Sequence, residues 1–253
     1  MIETNPKYKG MIPGLFTMGN VVCGFISIMS AFEGNVTTAC WFIILGAFLD
    51  VLDGKVARFS GGASQFGIEL DSLADFLTFA VSPATLVFTI KLNSLGKWGW
   101  VISLIFIMAA AYRLARFNIL ASTEEKKEFL GLPVPAAALT LVTYIIFSYH
   151  LWDSLQYSEL LVSMIILFSF LMVSQVQYET FPDKVEDRES RIKFILSLIS
   201  IVVILFKPRL LLFPILSLYI LFGMIREIVR LLSKGVIKVS SITATKEDDR
   251  KVK

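Results

Sequence analysis

Histidine occurs once in this chain, at position 150, and cysteine twice, at 23 and 40. A pair of cysteines and a lone histidine cannot assemble a zinc motif, and both cysteines fall inside apolar runs where packing is their simplest use. Charge is also scarce. Only 18% of the 253 residues are Asp, Glu, Lys or Arg, against about a quarter in an average soluble domain. The net charge of +3 is too small to argue for nucleic acid. Gly61-Gly62 lacks P-loop spacing, so no ATP site is expected. There is no fixed-period repeat and no Pro- or Ser-rich linker, which favours one domain. Met1–Tyr8 is polar and the first apolar run is of span length, unlike a cleavable leader.

What is abundant is apolar. Hydrophobic residues make up 55% of the chain, with 21 Phe and a mean hydropathy of +0.71. That composition excludes a disordered chain and indicates an integral membrane protein. A helix needs roughly 20 apolar residues to cross the hydrocarbon core. Eight runs qualify: 14–32, 36–58, 68–91, 98–118, 134–151, 159–178, 193–206 and 209–231. The seventh is short, and a re-entrant or strongly tilted segment fits it equally well. The expected fold is therefore an all-α polytopic helical bundle of about eight transmembrane helices. Residues 1–232 form the membrane domain and 233–253 a polar cytoplasmic tail near anionic headgroups.

Lysine and arginine sort by side. With the N-terminus inside, 20 of the 24 basic residues fall on the cytoplasmic side and four, Lys91, Lys97, Lys207 and Arg209, outside. This bias places both termini in the cytoplasm.

Four acids break the apolar pattern. Asp50 and Asp53 sit at i,i+3 in the second run, and Asp71 and Asp75 at i,i+4 in the third, so each pair shares a helix face. A carboxylate at mid-bilayer costs about 2.5–3.5 kcal/mol on insertion scales. At a rise of about 1.5 Å per residue, Asp50 lies roughly 12 Å and Asp75 roughly 10 Å from the cytoplasmic ends of their helices. The pairs should meet at one level, joined by the small-residue turn Ser60–Ser64. Protons or cations must neutralise such a group, and hard oxygen-bound cations, Mg²⁺ or Mn²⁺, fit best. Gly54, Ala57 and Gly67 leave room on the same faces. Metals, open space and interfacial depth suggest phosphate-ester chemistry on a lipid headgroup.

Paired intramembrane acids also serve cation transporters and proton relays, and on physics alone transport and lipid chemistry stand level. Two features favour the latter: the acids cluster at one membrane face, and no other span carries an acid near its centre. A non-catalytic scaffold is weaker, because buried carboxylates are a costly way to join helices. His150, at the outer end of the fifth span, is too far away for a catalytic role.

The pattern Asp50-x2-Asp53-Gly54-x2-Ala57-Arg58-x8-Gly67-x3-Asp71-x3-Asp75 resembles the signature of the CDP-alcohol phosphotransferases at all eight fixed positions. The resemblance implies a membrane enzyme with a six-helix catalytic core, often a homodimer, that moves a phosphatidyl group from a CDP-linked lipid to an alcohol and releases CMP. It implies Asp50, Asp53, Asp71 and Asp75 as ligands of two divalent metals, and Asp75 as the base for the attacking hydroxyl. Gly54, Ala57, Arg58, Ser64 and Gly67 fall on the CDP-lipid-binding positions, and the permanently charged fork of Arg58 suits a diphosphate. The stretch Ile12–Asn20 is similar to the family's opening helix and adds Thr17 and Asn20 as nucleotide contacts. Gly14 departs from the family's usual Asn.

Tyr112–Asn118, Gly131–Ala138 and Met172–Ser174 resemble the serine-transferring, phosphatidylserine synthase branch. The expected substrates are CDP-diacylglycerol, or its ether-lipid counterpart, and L-serine. Arg113, Arg116 and Asn118 are the candidate serine-binding residues. The alternative, that the arginines only anchor the helix end, stays open, as do glycerol 3-phosphate and inositol phosphate as acceptors. Membrane lipids are the expected surroundings, with no nucleic-acid partner.

Overall fold

The computed structural model describes residues 11–59, 65–122, 131–174, 176 and 207–251. All regular structure among them is helical. Helix α1 (Met11–Phe32) turns at Gly34 into α2 (Val36–Phe59). Gly34 takes φ +79° there and caps α1 by donating to the Ala31 carbonyl at 3.2 Å, a conformation a side chain would oppose.

The third span is interrupted. Helix α3 (Gln65–Asp75) passes through a π-helical segment, Phe76–Val81, into α4 (Ser82–Ile90). Pro83 has no N–H to offer and its ring would press on a carbonyl one turn back, so the wider turn before it relieves the conflict. Helices α5 (Lys97–Ser122), α6 (Val134–Trp152), α7 (Ser158–Val173) and α8 (Pro208–Lys251) complete the described chain.

Among the described residues six helical stretches are long and apolar enough to cross a membrane: Gly14–Phe32, Val36–Val56, Gln65–Ile90, Lys97–Ile119, Val134–Trp152 and Pro208–Glu227. They coincide with six of the eight expected runs. The sixth run is shorter than its hydropathy suggested, because α7 stops at Val173 and Ser174 turns to extended backbone (ψ 169°). The seventh, 193–206, lies outside the described residues, so a count of eight is not established. Helix α8 continues without a break through Lys251, past 233, where the polar tail is expected to begin. Its 44 residues amount to about 66 Å at 1.5 Å each, about twice the hydrocarbon thickness.

Helix α6 is the hub, with Leu141, Val142 and Ile145 packed among Ile43, Phe79, Leu86, Phe106 and Ile165. Helix α8 docks on its far half through Phe213, whose ring lies 5.0 Å from Tyr144 and 5.5 Å from Phe147.

Two segments that resemble the serine-transferring branch meet at the near end of α6. The Gly131 N–H donates to the Val176 carbonyl at 2.8 Å and the Leu132 N–H to the Leu171 carbonyl at 3.0 Å. Gly131 has φ +84°, and a Cβ there would sit 2.3 Å from the Met172 oxygen. Gly131→Ala should therefore cost at least about 2 kcal/mol. The apparent Tm in detergent should fall by roughly 4–8 °C, read by a thermal shift of the purified protein.

Candidate active site

Asp71 and Asp75 stand one turn apart on α3 and face Asp50 of α2. One carboxylate oxygen from each lies within 4.8 Å of the other two. The convergence at one level expected from helix rise is thus present across two helices. At that separation each pair of unit charges repels by ~3.5 kcal/mol for an effective dielectric of 20, so the cluster needs a compensating cation. An all-carboxylate donor set is one a hard divalent cation takes.

Asp53 stands beside this trio, within electrostatic range of Asp50 and Asp71. The Thr17 hydroxyl of α1 donates to its Oδ2. Its Oδ1 is buried without a hydrogen-bond partner, which is costly unless a ligand completes it. An acceptor-only orphan atom beside three carboxylates fits a cation better than it fits any neutral group.

Helix α1 supplies a second tie. Asn20, fully buried, donates from Nδ2 to Asp75 Oδ1 at 3.2 Å, while its own Oδ1 is a buried acceptor with no partner. Thr17 and Asn20, expected on the nucleotide, therefore hold two of the four aspartates. Beside them Gly54 leaves space: among the described residues no atom lies within 4 Å of where its Cβ would be. Gly67 is half-buried at the start of α3. Ala57 and Arg58 belong to the last turns of α2, but their side chains, and all of Ser64, lie outside the described residues.

Helix α5 closes the third side. Arg113 is 7% exposed, within electrostatic range of Asp75, Arg116 and Tyr219. Its guanidinium carbon lies 5.8 Å from the Phe117 ring centroid and its Nε has no hydrogen-bond partner. Arg113 is thus buried beside the carboxylates instead of lying at a solvated helix end. Arg116 is half-buried. Asn118 is paired with Ser72 of α3. Its Nδ2 donates to Ser72 Oγ at 2.9 Å, and Ser72 Oγ donates to Asn118 Oδ1 at 3.2 Å. That reciprocal pair fixes α5 against the α3 turn that carries Asp71 and Asp75.

Two of these participants escaped the reading of the sequence. Ser72 had a signal, its place between Asp71 and Asp75. Tyr219 had none beyond membership of the last span. His150 lies at the other end of α6, lining a cavity of about 170 Å³ with Thr37, Tyr149, Asp153 and Arg209, far from the carboxylates as expected.

Residues 10–171 match the family model described as CDP-alcohol phosphatidyltransferase. A Helicobacter pylori protein named CDP-diacylglycerol–serine O-phosphatidyltransferase is 37% identical over 224 residues, 88% of this chain and 92% of that protein. A Bacillus subtilis protein of the same name is 35% identical over 67% of this chain and 90% of its own length. The archaetidylserine synthase of Methanothermobacter thermautotrophicus is 33% identical over 66% of this chain and 69% of its own.

Proposed function

Because the chain belongs to the CDP-alcohol phosphatidyltransferase family, we propose that it transfers the phosphatidyl group of CDP-diacylglycerol, or of an ether-lipid counterpart, to the hydroxyl of L-serine and releases CMP. The observation that carries the reading is the meeting of Asp50, Asp71 and Asp75 within 4.8 Å beside the open flank of Gly54. Among the described residues no second acidic cluster extends it into a path through the membrane, which separates it from an ion pathway.

In the reaction the serine oxygen forms a bond to the lipid-bearing phosphorus, the anhydride bond to the CMP phosphate breaks, and the hydroxyl proton leaves. Asp50, Asp53, Asp71 and Asp75 hold one or two divalent cations, Mg²⁺ or Mn²⁺, which when bound offset the charge of the diphosphate and of the departing phosphate. Asp75 takes the hydroxyl proton. Its Oδ1 is engaged by Asn20, which leaves Oδ2 as the basic atom. Serine's hydroxyl is a poor nucleophile at neutral pH, so this transfer lowers the barrier directly. Arg58 suits the diphosphate oxygens, with Thr17, Asn20, Gly54, Ala57, Ser64 and Gly67 around the nucleotide. Arg113 suits the serine carboxylate as a buried permanent cation, with Arg116 near it and Asn118 holding the helices in register.

The reading places the protein in the cell membrane with the site and both termini cytoplasmic, in line with the 20 to 4 division of basic residues. Residues 1–232 are the membrane domain and 233–253 its cytoplasmic extension. A homodimer is the expected assembly.

The test supplies purified protein with CDP-diacylglycerol and, in turn, labelled serine, glycerol 3-phosphate and inositol phosphate. Serine should release CMP at least about tenfold faster than either phosphorylated alcohol, because a second dianion must be matched by its own cations. Product from a phosphorylated alcohol with none from serine would overturn the choice of acceptor. Ion flux in sealed vesicles without CMP release would overturn the enzyme reading.

A further inference from the structure

The π-helical segment that follows Asp75 and the first residue of α4 are bound to α1 by two hydroxyls one turn apart. Thr78 Oγ1 donates to the Asn20 carbonyl at 2.9 Å, and Ser82 Oγ donates between the Gly24 carbonyl at 3.0 Å and the Leu77 carbonyl of its own span at 2.8 Å. Thr78 is fully buried, and two glycines are shaped around it. A Cβ on Gly24 would lie 2.5 Å from Thr78 Oγ1, and one on Gly46 of α2 would lie 2.6 Å from Thr78 Cγ2 and 2.9 Å from Asn20 Oδ1. The side chain therefore fills a slot between α1 and α2 with its hydroxyl and methyl in fixed directions. The residue whose carbonyl it binds is the one whose amide holds Asp75.

We propose that Thr78 is a positioning residue: through Asn20 it fixes the Asp75 carboxylate toward Asp50 and Asp71. Misplacing a reacting group by about 1 Å costs about 10²-fold in rate, and groups that orient metal-binding carboxylates are commonly worth 10–100-fold in affinity or activity.

The proposal rests on the site reading above, and two readouts keep the two apart. The first is CMP release with serine at saturating metal. The second is Mn²⁺ binding by the purified protein, followed by electron paramagnetic resonance, which needs no turnover. Thr78→Val keeps the shape and removes the donor. It should lower kcat about tenfold or more and weaken Mn²⁺ binding about tenfold, whereas Thr78→Ser should restore both to within about threefold of wild type. Ser82→Ala removes the equivalent bond one turn further from Asp75 and should change neither readout by more than about threefold. If Thr78→Val does not purify as a monodisperse species, Thr78→Ala is read in the same way. Unchanged Mn²⁺ binding with kcat within threefold of wild type would overturn the proposal. So would equal losses in Ser82→Ala, which would make the bonds simple packing. A wild-type protein that releases no CMP defeats the functional reading alone, and the Mn²⁺ comparison still decides the role of Thr78.

Discussion

Asp75→Asn should reduce CMP release from CDP-diacylglycerol and serine by about 10³-fold or more. The substitution is isosteric. The Asn20 amide that donates to Asp75 Oδ1 at 3.2 Å finds an amide oxygen in the same place, so the local structure has little reason to change. What disappears is the atom that takes the proton and one of the charges that hold the cation. Loss of a positioned general base alone costs about 10²–10⁴-fold. The comparison that isolates the base is Asp50→Asn, which removes a carboxylate from the same cluster. Asp50→Asn should lose activity together with Mn²⁺ binding, and raised metal should recover part of it. Asp75→Asn should stay inactive when Mn²⁺ is saturating by spin resonance. Turnover within tenfold of wild type in Asp75→Asn at full metal occupancy would remove Asp75 from the role of base.

The division between what the sequence discloses and what only the structure shows follows from the range of the forces involved. Spans were legible because hydropathy is a local property with a fixed length scale, and six runs became helices within about three residues of the expected limits at nearly every end. The pairing of Asp50 with Asp53 and of Asp71 with Asp75 was legible from helical periodicity. Their common level followed from counting residues to the membrane surface. Partner choice was not legible. Nothing in the spacing of Thr17 and Asn20 tells that their bonds go to Asp53 and Asp75, since a side chain's partner is set by how neighbouring helices rotate.

Asn118 shows the same limit in another form. Its place at the end of a span beside two arginines suggested a ligand contact, and its bonds to Ser72 make it a clamp between helices. The early end of α7 has a tertiary cause as well, because the backbone from Leu171 to Val176 is used to bind Gly131 and Leu132. Helix α8 continues past 233 although apolar periodicity ends there. Once a helix is nucleated in the membrane, each further residue adds a hydrogen bond at little cost, and a polar sequence can extend it.

Stripping divalent cations with a chelator should abolish CMP release to below about 1% of the starting rate, and Mg²⁺ or Mn²⁺ should restore it. Asp50, Asp71 and Asp75 bring three carboxylate oxygens within 4.8 Å, and Asp53 adds a buried unpartnered oxygen beside them. The described cations nearby do not offset them: Arg113 has a buried guanidinium in electrostatic range of Asp75, but it is one charge against four and is shared with Tyr219. A bound divalent cation would supply the missing positive charge and leave the Asp75 carboxylate available as a base.

Two measurements follow from the same cause. Activity should be lost on chelation and recovered on adding back metal, which eliminates irreversible damage. Stability should move with it, because a ligand bound only by the folded state at 100 times its Kd adds about 2.7 kcal/mol. For a chain of this length that is a rise of roughly 5–10 °C in apparent Tm, which Asp50→Asn should largely lose. Full turnover in the chelated protein would defeat the metal assignment. A Tm that rises with Mg²⁺ in wild type and equally in Asp50→Asn would place the stabilising cation elsewhere in the molecule.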